Sequence, residues 1–228
     1  MDLSKFRQPE LIKKIVADLQ NFEQPVKFME VCGSHTMAIG HWGIRKLLPE
    51  NIKLISGPGC PVCVTPSTVI DEMIKLKNVT IATFGDLIRV PGSLGTLEQA
   101  RAEGADIKII YSPLEALELA RKKETVLVGI GFETTIPGIA LTIQKAVQQN
   151  LNNFTVLPAF KLVPPALEAL LAGGDVEVNG FILPGHVSVI IGADAYSILP
   201  EKFGIGGVVT GFEPLDILLG IKKLVQQI

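Results

Sequence analysis

Three cysteines and three histidines hold most of the reactive chemistry available to this chain. The first cysteine lies in Cys32-Gly33-Ser34-His35-Thr36-Met37, directly after the apolar run 26–31. Ser34 suits the N-cap of a following helix. Cys32 then lies just outside a helix N-terminus, where unpaired amide N–H groups and the helix dipole favour a thiolate. A thiolate so placed attacks electrophiles or binds a soft metal, and His35 can serve as donor, base or second ligand. The competing reading is a small buried cysteine beside a capping histidine.

The other two cysteines form Cys60-Pro61-Val62-Cys63, inside Ser56-Gly57-Pro58-Gly59-Cys60-Pro61-Val62-Cys63-Val64-Thr65-Pro66. Such a pair closes a small disulfide loop or chelates a metal with two thiolates, and Pro61 stiffens the turn between them. A closed four-thiolate zinc site cannot be built from one copy of the chain, because Cys32 is the only other cysteine. Redox pairing is the better reading, with two buried thiols in a rigid turn as the bland one. Glu133 and Thr134, in Gly131-Phe132-Glu133-Thr134-Thr135-Ile136-Pro137, and His186, in Leu183-Pro184-Gly185-His186-Val187-Ser188, complete the candidate set. Thr134 or Thr135 suits an N-cap. Each group follows a strand-like run, and open α/β sheets place their sites at the carboxyl ends of strands.

The elements that must position these residues read as alternating strands and helices. Strands are expected at 26–31, 53–56, 79–84, 107–111, 125–130, 154–157, 180–183 and 207–210. Helices are expected at 9–21, 34–48, 67–76, 96–103, 113–122, 134–150, 164–172 and 214–228. Ile139, Leu141, Ile143 and Val147 fall near helical spacing in 134–150, with glutamines opposite. The alternation implies an α/β fold with mainly parallel sheets flanked by helices. Gly131-Phe132-Glu133 is echoed by Gly211-Phe212-Glu213 about 80 residues later, each after a strand. That echo suggests two similar lobes with a ligand crevice between them. The expected division is 1–112, carrying Cys32 and the Cys60/Cys63 pair, and 113–228, carrying Glu133 and His186. Asp86 and Arg89 read as crevice residues or a loop ion pair, and His41 as a surface or cap residue on the helix from 34.

Charge and hydropathy remove several function classes. The 228 residues carry 21 Lys and Arg against 23 Asp and Glu, a net charge of −2, so no basic footprint for nucleic acid is present. The longest apolar runs, 126–132 and 187–193, are far short of the roughly 20 residues that cross a bilayer. Residues 1–10 are charged and do not read as a signal peptide, so a cytoplasmic location is expected. Three cysteines do not suit a secreted disulfide framework. Gly129-Ile130-Gly131 begins like a dinucleotide fingerprint but lacks its third glycine, and no phosphate loop occurs.

The five motifs starting at Cys32, Gly57, Gly131, Pro184 and Gly211 occur together, in the order seen in the hydrogenase-maturation factor HypD family, and the chain resembles that family from Glu30 to Asp216. The resemblance implies a scaffold for assembling the Fe(CN)2CO unit of [NiFe]-hydrogenase, bound transiently. It implies a HypC-like small chaperone and a HypE-like cyanide donor as partners. By the motif match Cys32 is the iron ligand with His35 nearby, and Cys60 and Cys63 are a thiol–disulfide pair exchanging electrons with the family's [4Fe-4S] cluster. Ser34 replaces the usual threonine and keeps the hydroxyl. Family members continue into a region with four cluster-binding cysteines, which this sequence lacks, so that cluster is not expected in this chain. A truncated form, one part of a split gene product and a degenerate member are the readings of that difference. A stand-alone thiol–disulfide oxidoreductase, a cysteine-dependent transferase without iron, and a partner-binding module with relic motifs are the alternatives.

Overall fold

The computed structural model describes residues 4–174 and 176–228, so residues 1–3 of the charged N-terminal stretch lie outside the described residues. It is an α/β fold with two four-stranded, wholly parallel sheets. The strands are β1 (Val26–Glu30), β2 (Ile52–Ser56), β3 (Thr80–Thr83), β4 (Ile107–Ile109), β5 (Thr125–Gly129), β6 (Phe154–Pro158), β7 (Gly180–Pro184) and β8 (Gly206–Thr210). The helices are α1 (Pro9–Gln20), α2 (Gly33–His41), α3 (Ile44–Leu47), α4 (Ser67–Lys75), α5 (Leu97–Ala102), α6 (Glu115–Ala120), α7 (Ile136–Gln148), α8 (Val163–Ala172), α9 (Gly185–Ile191), α10 (Ile198–Phe203) and α11 (Pro214–Val225). Proline occupies the first turn of α1, α7, α8 and α11, where its missing N–H costs nothing and its fixed φ suits the helix. Among the described residues no helix is long and apolar enough to cross a membrane.

The chain divides into two compact units that differ from the expected split at 112/113. One joins residues 1–60 to 162–228, and the other is the continuous stretch 61–161. Strand pairing is the cause. In the first unit the order is β2-β1-β7-β8, so β1 pairs with a strand about 150 residues away, Phe28 opposite Gly180. His186 therefore shares a unit with Cys32, and Glu133 does not. Phe28 and Ile182 are fully buried in this sheet, against Ile15 and Leu19 of α1 and Ile217, Leu218, Ile221 and Leu224 of α11. Each such side chain contributes about 1.5–3 kcal/mol on burial.

The second unit has the order β4-β3-β5-β6, with Ile81, Ile107 and Val128 in one core cluster and Ala82, Leu127 and Ile139 in another. Its helix α7 keeps only Ile139 of the expected apolar face inward. Ile139, Thr142 and Ala146 are buried, whereas Leu141, Ile143 and Val147 are exposed. Thr142 can be buried because its hydroxyl donates to the Gly138 carbonyl at 2.8 Å. Asp86 and Arg89 are both exposed, and Arg89 pairs with Glu98 rather than Asp86.

Asp106 accepts from the Thr80 hydroxyl at 2.7 Å and from Lys123 at 3.1 Å, with Lys108 at 3.3 Å. The Thr80 bond, followed by those lysines, pulls its pKa down to about 2. This carboxylate therefore stabilises the folded unit above the ordinary Asp range and loses that contribution as pH falls through about 2. In acid titrations followed by circular dichroism, Asp106→Asn should remove a small part of the stability lost below about pH 4, and an unchanged titration would assign the pairing no energetic role.

Candidate functional site

β1 ends at Glu30, and the chain turns at once into α2. Cys32 is the N-cap residue of that helix, extended at φ −148° and ψ 127°, and buried. Its side chain makes no capping hydrogen bond, so Sγ is left for other chemistry. The expected cap, Ser34, instead lies exposed within the first turn. Beyond His41, which is exposed as expected, Gly43 in the left-handed region (φ 62°) breaks the expected single helix 34–48 into α2 and α3.

Because β7 and β8 lie beside β1, the carboxyl ends of three strands meet. β7 delivers His186 in the first turn of α9, with Nε2 4.0 Å from Cys32 Sγ. β8 delivers Thr210 and, just past its end, Gly211 and Phe212. His35 is fully buried, with Nε2 3.0 Å from the Gly211 carbonyl and 2.8 Å from Thr210 Oγ1. A carbonyl only accepts, which assigns the proton to Nε2 and a lone pair to Nδ1. That Nδ1, like Nδ1 of His186, is buried and makes no hydrogen bond. Burial pushes the His35 pKa down to about 4, the Gly211 carbonyl opposing and His186 assisting, and burial lowers His186 as well. Both imidazoles are therefore neutral at pH 7. The Phe212 ring touches both, its centroid 4.6 Å from that of His35 and 5.3 Å from that of His186.

A strap from β2 runs alongside. Gly57 N donates to the Glu30 carbonyl at 2.8 Å, and Gly33 N donates to the Gly59 carbonyl at 3.1 Å. Cys60 follows directly and is half-buried, Cys63 is exposed, and all three cysteines are thiols. Glu30 is fully buried, with Oε1 accepting from Ser56 Oγ at 2.7 Å and Arg45 Nη2 at 3.1 Å, while Oε2 has no hydrogen bond.

The structure thus brings Cys32, His35 and His186 together and lays the residue before Cys60 on Cys32. Cys63, Glu133 and Thr134 belong to the other unit. There Glu133 is buried after β5 and Thr134 is exposed; Thr135, not Thr134, caps α7, without a side-chain bond. Glu213, the echo of Glu133, caps α11 and is held by Arg7 through a two-pronged contact, one prong Nη2 to Oε1 at 2.8 Å. The Arg7 hydrogen bonds keep the Glu213 carboxyl below its usual range. Sequence reasoning missed Glu30, Thr210 and Phe212 as site residues. Thr210 and Phe212 belong to a quoted motif or adjoin it, yet no spacing ties position 35 to 210. Among the described residues, no three His, Cys, Asp or Glu side chains are grouped to hold a metal ion.

The family model described as "HypD: Hydrogenase formation hypA family" matches residues 8–228. The chain belongs to the HypD family. Its relatives include the hydrogenase maturation factors HypD of Escherichia coli (strain K12), 44% identical over 99% of this chain and 64% of that protein, and of Rhodobacter capsulatus, 45% identical over 99% and 63%. The HypD of Azotobacter vinelandii is 45% identical over 96% of this chain and 61% of its own length. The chain therefore spans less than two thirds of the length of these HypD relatives. The resemblance read from the five motifs is met by this match, which runs over nearly all of the chain.

Proposed function

We propose that this chain acts in hydrogenase maturation as the scaffold on which the Fe(CN)2CO unit is assembled, with the Cys32 thiolate binding the iron. One observation carries the reading. Cys32 is a buried N-cap thiol 4.0 Å from a neutral imidazole, at the carboxyl edge of a parallel sheet, in a chain of the HypD family. A soft thiolate suits low-valent iron with strong-field ligands, and diatomic ligands fill coordination positions that the protein does not. A site offering one thiolate with two imidazoles nearby matches such a substrate better than a bare divalent ion. His186 Nε2–H can donate to the sulfur and orient it, the kind of neighbour that tunes a metal's ligand.

Cys60 and Cys63 are the redox pair in this reading. Their oxidation to a disulfide releases two electrons and two protons, and restoring them takes an outside dithiol or a cluster. Three thiols cannot supply a four-thiolate [4Fe-4S] site, so no such cluster is proposed for this chain. A HypC-like chaperone and a HypE-like cyanide donor are the partners proposed.

Anaerobic loading with ferrous iron, both partners and added carbon monoxide, with an external dithiol present, should produce infrared CN and CO stretching bands on this chain. Cys60→Ala and Cys63→Ala should still bind iron under those conditions. Iron lost from these two variants but kept by Cys32→Ala would move the metal site to the pair. Disulfide cycling without any CN or CO bands would favour the stand-alone oxidoreductase.

A further inference from the structure

The loop leading to Cys60 is fastened to the Cys32 site by a contact that only glycine permits. Gly57 N extends the β1–β2 ladder onto the Glu30 carbonyl, Gly59 N turns back onto the Gly57 carbonyl at 2.8 Å across Pro58, and Gly33 N, the first amide inside α2, donates to the Gly59 carbonyl. A Cβ on Gly59 would lie 2.5 Å from Gly33 N, 2.6 Å from the carbonyl carbon of Cys32 and 2.7 Å from its Cα. These are backbone atoms where β1 becomes α2, and they cannot swing aside as a side chain can. A Cβ on Gly33 would meet only the Gly59 carbonyl oxygen, at 3.7 Å, an ordinary contact. Gly33 adjoins the cysteine in sequence, yet Gly59 is the position that admits no side chain.

We propose that Gly59 is a positioning residue whose seat on the Cys32–Gly33 peptide brings the Cys60 thiol within exchange reach of Cys32, making the two one exchange unit. The functional weight of that unit rests on the iron-binding role proposed for Cys32, but the contact itself involves no iron. Thiol exchange depends on access between sulfurs as well as on their ionisation, so a backbone seat that sets access sets the rate.

The test uses the metal-free full chain carrying Cys63→Ser, which removes the Cys60–Cys63 disulfide as a competing product. Diamide is the oxidant: the two thiols give up two protons and two electrons, an S–S bond forms, and the N=N bond of diamide becomes a hydrazine. Mass mapping of peptides reads the Cys32–Cys60 bond. It should form in Cys63→Ser and at the same rate when Gly33→Ala is added. Adding Gly59→Ala should slow it on the order of tenfold or more. Gly33→Pro provides a second probe that suits the fold, because proline is favoured at the first helical position and Cys32 is already extended as a residue before proline must be. It replaces the N–H that holds Gly59 with a ring carbon, and the same slowing is expected. No Cys32–Cys60 bond in Cys63→Ser, or an unchanged rate in either folded Gly59→Ala or Gly33→Pro, overturns the proposal. If Gly59→Ala does not fold, Gly33→Pro decides. Since the assay holds no iron, normal iron loading with no exchange would sink this proposal alone, and failed loading with normal exchange would sink only the scaffold reading.

Discussion

Cys32→Ser is expected to lose iron-dependent CN and CO bands by more than about 100-fold, because even neighbours that only support a metal ligand are worth about 10–100-fold. The same change should make the protein more stable. Cys32 holds the N-cap of α2 without capping it, and serine is among the best residues there, its oxygen accepting from an amide of the first turn. A gain of about 0.5–1 kcal/mol in urea unfolding is expected, while the near-equal volume leaves the buried site filled. Opposite signs for function and stability separate a thiol kept for its chemistry from one kept for packing. Iron bands at the parental level in a folded Cys32→Ser protein would remove the proposed ligand, and a stability loss would contradict the cap geometry.

Stability should fall steeply with mild acid, through His35. The unfolded chain takes up a proton on this imidazole near the ordinary 6.5, while the buried ring resists protonation down to about 4. Nothing is lost above about pH 6.5. Between there and about pH 4 the unfolded state binds the extra proton, and folding stability drops by about 3 kcal/mol before levelling. His186, lowered by burial, adds in the same direction. Asp216, pushed up by burial, opposes it near the carboxylate range. Urea midpoints at pH 7, 5.5 and 4.5 measure the slope, and His35→Gln should flatten most of it at a cost in stability at pH 7. A parental midpoint independent of pH across this range, or an unchanged slope in His35→Gln, would show that the ring is not held neutral.

All eight strands fall within about two residues of where alternation and turn residues place them in sequence, because parallel strands buried between helices read as short apolar runs. Cys32 as the gateway to a helix was legible for the same local reason. What escaped depends on distance along the chain. The pairing of β1 with β7 is invisible to periodicity, and the Gly-Phe-Glu echo favoured two successive lobes where the chain builds one unit from both ends. The echo is nonetheless physical, since it follows β5 in one sheet and β8 in the other. α9, bounded by Pro184 and Gly192, and α10, with Pro200 inside it and Gly204 after it, were missed because such residues read as turns and neither helix exceeds seven residues. The inward face of α7 was misjudged because a threonine bonded to its own helix counts as polar in any hydropathy pattern.

The discontinuous first unit sets an order of events during synthesis. Cys32 is made before residues 61–161, and its imidazole neighbour His186 and the strands β7 and β8 only after them. At about 5–20 residues per second that interval lasts about 5–20 seconds, time in which the continuous second unit can fold by itself. Through this period the thiol lacks its buried setting, which forms only once β7 and β8 have been made and β7 can pair with β1. A nascent chain ending before β7 therefore has the cysteine without the His186 that accompanies it in the finished fold.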